Sequence, residues 1–370
     1  MQPDYSVTEA AARAERRGRR RGEMTVAAVA RLAGVSKPTV SRVLNGKSGV
    51  APDTRQRVEE VLREYGYRRP AAVAPSPGME VVFFGLESTM AIEIMRGVQD
   101  VAGDRDLGVG FTDVAAFGGE GRPWAERLLA RRPAGIIVVH SRFTAQQYAQ
   151  LSASGIPLVS AQPVNPPPDA VPSVAATNWS GAVAATRHLI GLGHRRIALI
   201  GGPADQLVAR ERLEACRAAM ETAGLPADPQ LIHTGRFLFE DGLELGTILL
   251  RMARPPTAVL CGDDLLALGV YEAARRAGVH IPGDLSVVGF DGITATRWCG
   301  PPMTTVRQPF REIGAAAARL LLQLIMEDPV ANTRVELPTA LAIRASTAAP
   351  APENASHHGV DSARSESRRA

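Results

Sequence analysis

Between Thr25 and Asn45 the chain reads TVAAVARLAGVSKPTVSRVLN, and the groups there that can do chemistry are short, polar or cationic: Lys37, Thr39, Ser41, Arg42 and Asn45. An ammonium or guanidinium donates to guanine O6/N7 or to phosphate, and hydroxyls suit phosphates or base edges. To act together these side chains must share one face of a helix narrow enough to enter a groove. The apolar residues predict that they do. Val40, Val43 and Leu44 recur at helical spacing and turn inward, which leaves the polar set outside. A helix before it carries Val26, Val29, Ala30 and Ala33 on one face, with Thr25 as its N-cap. Gly34 supplies the positive φ of a tight exit, Ser36 caps the second helix, and Pro38 sits in its first turn, where a missing N–H costs little. Pro52 starts a third helix, Val58, Val61, Leu62 and Tyr65 form its stripe, and Gly66 ends it. The pattern is a helix-turn-helix equipped for a major groove. An ordinary αα-hairpin with a solvated face has the same shape.

Charge separates these readings. Residues 1–70 hold 15 Lys+Arg against 8 Asp+Glu, while the other 300 hold 27 against 30. The positive end therefore coincides with the helix-turn-helix, as polyanion binding requires. Both lysines of the chain, Lys37 and Lys47, lie there. Cys216, Cys261 and Cys299 have no metal-ligand spacing, so no metal or cofactor is expected, and a reduced, cytoplasmic protein is the simplest expectation. No apolar run of membrane-spanning length occurs, and no apolar segment follows the N-terminal arginines as in an export signal.

The positioning elements follow from texture. Residues 1–23, with Arg13, Arg16, Arg17, Arg19, Arg20 and Arg21, read as a disordered basic extension: either a phosphate-contacting arm or sequence upstream of a true start at Met24. Residues 24–69 form the helical head and 70–78 a Pro-rich linker. From 79 to 347, apolar strand candidates (Val81–Phe84, Ile136–Val139, Leu158–Ser160, Ile197–Ile200, Ala258–Cys261, Leu285–Gly289) alternate with helix patterns near 91–103, 123–131, 144–154, 180–192, 207–223, 240–252 and 264–277. Near-continuous Val/Ile/Leu strands between helices predict parallel sheets covered on both faces. The length predicts two α/β subdomains. Residues 348–370 read as a disordered tail.

Several stretches in order resemble one family. VARLAGVSKPTVSRVLNGKSGVAPDTRQRVEEVLREYGY, GHRRIALIGGP at 193–203, ARERLEACRAAM at 209–220, DLLALGVYEAARRAGVHIPGDLSVVGFDG at 264–292 and PPMTTVRQPF at 301–310 resemble the LacI/GalR transcriptional regulators. The resemblance covers about Met24 to Thr347. It implies an all-α three-helix head, followed by a two-lobed periplasmic-binding-protein-like core of Rossmann-like parallel sheets. It also implies a homodimer on a near-palindromic double-stranded DNA operator, most simply a repressor, controlled by a small sugar-like effector between the lobes.

By that resemblance Lys37 and Pro38 occupy the positions that vary operator choice. Pro38 reads only by apolar contact, for example with a thymine methyl. Thr39 and Ser41 suit phosphates or base edges, and Arg42 a bidentate guanine contact. Thr25, Asn45 and Tyr67 match backbone-contacting positions, and Asn45 is equally a helix C-cap. The linker departs from the family: Ala71-Ala72-Val73-Ala74-Pro75 offers no Leu wedge for a minor-groove hinge helix. Arg210, Asp263 and Asp291 fall on sugar-hydroxyl positions, and Phe237 on a ring-stacking position. Position 263 is commonly Asn in relatives, and Asp there removes a donor and adds charge. Gln162, Ser88 and Met90 are first-lobe candidates, with Trp298 near the same mouth. Structural readings stand beside these: an ion pair between Arg210 and either aspartate, and Phe237 as core.

Two other functions share parts of the pattern. A transport-type sugar-binding protein has the core but no residues 24–67. A glycoside-processing enzyme would use Asp263 and Asp291 as its carboxylate pair. The sequence has no G-x-G-x-x-G after a strand, no G-x-S-x-G and no metal-spaced His/Cys cluster, so it is not expected to be an enzyme.

Overall fold

The computed structural model describes residues 26–44, 49–64, 78–84, 89–115, 122–140 and 143–352. The chain divides into two compact units between Ala74 and Pro75, within the stretch assigned to the linker. Thr25, Asn45, Tyr67, Ser88, the basic extension and Val73 lie outside the described residues.

The first unit contains α1 (Val26–Leu32), α2 (Lys37–Leu44) and α3 (Pro52–Glu64). Gly34 adopts φ +64°, and the Thr39 amide donates to the Ser36 hydroxyl at 3.3 Å, as the turn and cap require. Val29, Ala30, Ala33, Val40, Val43 and Val58 are buried together. So few small side chains make a marginal core. Val58→Ala, which strips two methyl groups from a fully buried site, is expected to cost the head about 2 kcal/mol. Faster proteolysis of residues 26–64 in the full-length chain, with cleavage elsewhere unchanged, is the readout.

The second unit holds two six-stranded sheets. In the first lobe β1 (Met79–Phe83), β2 (Val109–Asp113), β3 (Gly135–Val139), β4 (Leu158–Ala161) and β5 (Ser173–Ala176) are joined through α4 (Thr89–Gly103), α5 (Arg122–Ala130) and α6 (Ala145–Ser152). In the second, α7 (Asn178–Gly191) leads into β6 (Ile197–Gly201), α8 (Leu207–Thr222), β7 (Ile232–Thr234), α9 (Phe239–Leu250), β8 (Ala258–Cys261), α10 (Asp264–Ala277), β9 (Ser286–Asp291) and β10 (Thr304–Arg307). The chain then returns to the first lobe as α11 (Phe310–Ile325) and β11 (Arg334–Leu337), and ends in the second as β12 (Ala340–Ala342). The sheet orders are β11-β5-β4-β3-β1-β2 and β12-β10-β9-β8-β6-β7, parallel throughout except that β12 runs antiparallel to β10. Both therefore repeat the doubly wound order 2-1-3-4-5, which places a ligand crevice outside the strand carboxyl ends.

Each strand feeds two cores because its side chains alternate. Val81, Phe83, Ile137 and Val139 pack under α4 and α11, while Val82, Ile136 and Val138 pack under α5 and α6. The second sheet splits likewise: Leu199, Leu260 and Phe290 face α7 and α8, and Ile200, Val259 and Val287 face α9 and α10. Helix α11 approaches α4 so closely that a Cβ on Gly97 would lie 1.9 Å from the Arg311 carbonyl oxygen, and one on Gly314 2.1 Å from that of Ile94.

The alternating pattern is as expected, but β2, β5, β7, β10, β11, β12 and α11 are additional to the sequence reading. Most of these strands are short or lie at sheet edges, and β11 alternates exposed with half-buried residues, so they lack the continuous apolar run that marks the others. The described chain also continues to Pro352. At Ala348, assigned to the tail by sequence, the amide donates to the Ser286 hydroxyl at 3.0 Å and the carbonyl lies 2.9 Å from His194 Nε2. His194 was given no role from sequence; it is buried, and that burial lowers its pKa. No helix among the described residues is long and apolar enough to cross a membrane.

Candidate functional site

On the head, Lys37, Pro38, Ser41 and Arg42 are exposed on α2, and Thr39 is half-buried. Positions 37 and 41, and 38 and 42, are four apart, so they form one stripe. The buried Val40 and Val43 fix which way that stripe faces. The Thr39 hydroxyl lies 2.8 Å from that of Ser36, so it is partly engaged in holding the helix start. The arrangement presents two cations, a hydroxyl and an apolar ring on a two-turn helix, which suits direct base readout.

In the core a cavity of about 620 Å³ lies at the carboxyl ends of both sheets. One lobe contributes Phe83 at the end of β1 and Phe84 after it, Met90 of α4, Val139 at the end of β3 and His140 after it, and Gln162 after β4. The other contributes Val208 and Arg212 of α8, Phe237, Asp263 before α10, Asp291 at the end of β9 and Gln308 after β10. His140, Gln162, Phe237 and Asp291 all have positive φ (49°, 49°, 62° and 113°). A non-glycine residue adopts that region only where its surroundings enforce it, and such residues cluster at ligand sites.

The polar groups form one chain across the lobes. Gln162 accepts from the Ala176 amide at 3.1 Å, and its Nε2 donates to Gln308 Oε1. Gln308 Nε2 in turn donates to Asp291 Oδ1 at 2.5 Å. Arg212 lies 3.3 Å from the same oxygen, donates to Asn178 Oδ1 at 2.9 Å and to the Gly262 carbonyl at 2.7 Å, and covers the Phe290 ring at 3.9 Å. Asp263 caps α10 by accepting from the Leu266 amide at 2.8 Å. Asp264 is committed to the fold, accepting from the amides of Gly292 and Ile293 and from the Thr305 hydroxyl.

Burial raises all three acids. Asp291 stands above the ordinary carboxylate range despite Arg212, and Asp264 well above it, with Asp291 adding repulsion. Asp263 is pushed up to about 7 by burial and then by the Asp291 charge. The unfolded chain loses this proton near 3.8 and the folded chain keeps it to about 7. Over that window the folded state binds more protons, so stability falls as pH rises, by at most about 1.4 kcal/mol per pH unit for one group. Asp263→Asn is expected to flatten the denaturation-derived stability profile there; an unchanged slope would place the titration elsewhere.

Phe237 lies flat over a glycine floor. A Cβ on Gly202 would fall 2.0 Å from the ring, and one on Gly262 3.2 Å. The ring is half-buried, lines the cavity and also packs on the core beneath α9 and α10. Gly202→Ala is expected to push the ring into the cavity and to weaken any ligand stacked there at least tenfold, measured by calorimetry.

Gln162, Met90, Phe237, Asp263 and Asp291 thus meet in one cavity, but Arg210 does not. Arg210 is exposed and donates to the Ala204 carbonyl at 3.1 Å; the cavity arginine is Arg212. The reason is helical phase. The inward stripe of α8 runs Ala209, Arg212, Ala215, Cys216, Ala219 and Met220, and Arg210 falls outside it. That periodicity was available in the sequence. Trp298 is 80% exposed and does not line the cavity. His140, Phe84, Val208 and Gln308 were missed; for His140 and Gln308, position just after a strand end was the available signal.

Comparison with known proteins agrees with this geometry. Residues 25–70 match the family model of bacterial regulatory proteins, lacI family, and 186–347 that of a periplasmic binding protein-like domain. The HTH-type transcriptional repressor CytR of Escherichia coli K12 is 33% identical over 330 residues, spanning 88% of this chain and 96% of that protein. Among solved structures, the transcriptional regulator CelR–cellobiose complex superposes with a TM-score of 0.66 at 32% identity, covering 87% of this chain and 99% of that one. The lac repressor dimer bound to operator and the anti-inducer ONPF gives 0.65 at 28%, covering 88% and 99%. With a helix-turn-helix unit, a two-lobed α/β unit, and relatives at 30% identity or more over nearly their whole length, the chain belongs to the LacI family of DNA-binding transcriptional regulators.

Proposed function

We propose that the chain is a cytoplasmic homodimeric repressor whose operator affinity is set by a neutral, sugar-like molecule held between the lobes of the core. The cavity carries this reading. Its carboxylates and guanidinium suit hydroxyl groups, which both donate and accept, and Phe237 suits the apolar face of a ring. About 620 Å³ accommodates a mono- or disaccharide. Cellobiose in the CelR complex is a ligand of that size and chemistry.

Catalysis is not part of the proposal. Asp263 is engaged as the cap of α10 by the Leu266 amide, and Asp291 is tied to Arg212 and Gln308. Neither is free to serve as nucleophile or general base toward a glycosidic bond.

The decisive experiment is a mobility-shift assay of the full-length protein on its own upstream region, repeated with a panel of mono- and oligosaccharides. A retarded complex that one sugar releases or tightens supports the proposal. Retardation that no sugar alters would remove the carbohydrate reading while leaving DNA binding intact, and turnover of a glycoside would replace it with the enzyme reading.

A further inference from the structure

A second cavity, of about 350 Å³, adjoins the first and shares Ile293 and Gln308 with it. Its character is different. Where the first is lined by acids and aromatic rings, the second is lined by Arg297, Arg307 and Arg311, with Glu93 and Glu312.

The partners of these charges decide what the cavity can hold. Arg311 forks onto Asp100 at 2.8 and 3.0 Å, and Glu93 takes Arg96 at 2.6 Å. Among the described residues Arg297 and Arg307 have no ion pair and no side-chain hydrogen bond, and Glu312 is the one lining carboxylate in the same condition. The balance is one net positive charge carried on two guanidiniums, each a planar fork of donors that matches a tetrahedral oxyanion. The first turn of the 16-residue α11 also lines the cavity, from Pro309 to Glu312, and no side chain caps it. Its amides add partial positive charge on the same side. The backbone of Gly292 passes close to Arg307: a Cβ on Gly292 would lie 2.9 Å from Arg307 Cα and 3.0 Å from its Cγ.

We propose that this cavity is a second ligand site, for a small dianion (phosphate, free or as a monoester), held by Arg297 and Arg307 beside the start of α11. This second site takes a different class of ligand from the first cavity. It is connected to it, because Arg307 precedes Gln308, whose side chain bridges Gln162 and Asp291. An anion that reorients Arg307 shifts that bridge, so each ligand changes the other's affinity by the same factor.

The test is calorimetric titration of the full-length chain with inorganic phosphate, against sodium chloride at matched ionic strength. Saturable binding in phosphate alone is expected, weakened at least tenfold in the Arg297→Gln/Arg307→Gln double variant and partly regained with Arg307→Lys. Both arginines are exposed, so the variants keep the fold, which thermal unfolding checks. Asp291→Asn leaves both arginines in place, so phosphate should still bind saturably, with an affinity altered only by the coupling through Gln308. A parallel titration with glycerol phosphate separates the sources: tighter binding than inorganic phosphate assigns the site to a monoester, equal binding to the free ion. No binding above the chloride control, or binding that the double variant retains, overturns the proposal.

Discussion

Replacing Arg212 with Met is expected to destabilise the core by about 3–5 kcal/mol, the usual cost of removing one member of a buried charge pair. One side chain holds together the carboxylate of Asp291, the amide oxygen of Asn178 and the carbonyl of Gly262, and covers the Phe290 ring. Met fills similar volume but leaves three acceptors without their donor. Chemical denaturation of the full-length protein reads this as a lower midpoint at an unchanged slope. Arg212→Lys is expected to fall between: it keeps the charge but cannot fork to several acceptors.

The function of the same group is separated from stability by Asp291→Asn. Asn tolerates the φ of 113° at this position better than most residues and still fills the space. It loses the charge that orients Arg212 and accepts from ligand hydroxyls. DNA retardation is expected to persist, while the response to an effector sugar falls by at least tenfold. A response of wild-type size would mean that the effector sits elsewhere.

Arg42→Ala is expected to remove about 1–3 kcal/mol of operator affinity, between fivefold and a hundredfold or more, while the core unfolds at its wild-type temperature. Arg42 is exposed on α2 beside Ser41 and one turn from Pro38, so its loss leaves the Val29–Val40–Val58 core untouched. The control that identifies base reading is a scrambled duplex. If Arg42 contacts only phosphate, specific and scrambled DNA weaken alike; if it reads a base, the preference for operator collapses. In either case log Kd should change linearly with log salt concentration, with a slope near 0.9 per phosphate neutralised. A Kd independent of salt would falsify the electrostatic docking of the head.

The head was legible because its logic is local. Gly34 at the turn, Ser36 at the cap, Pro52 at a helix start and valines at helical spacing are each read within a few residues. Each then fixes the outward stripe of Lys37, Pro38, Ser41 and Arg42 without reference to the rest of the chain. The strand positions of the core were legible for a similar reason: a strand buried on both faces must be apolar along its length. Asp263 and Asp291 follow two of these strands closely in sequence, and the family resemblance puts both on sugar-hydroxyl positions.

What the sequence by itself determined, then, is the kind of protein: a cationic helix-turn-helix, two α/β lobes, and polar groups at strand carboxyl ends. Tertiary structure alone decided which groups meet. Three crossings between lobes, near residues 177, 308 and 338, bring Gln162, Gln308 and Asp291 into one hydrogen-bonded chain, although Gln162 and Gln308 are 146 residues apart. The rotation of α8 about its axis seats Arg212 and turns Arg210 to solvent. Spacing along a chain constrains only neighbours within a turn or a strand; contacts between distant segments depend on how whole elements pack, and packing is settled by summed burial over many residues rather than by any one of them.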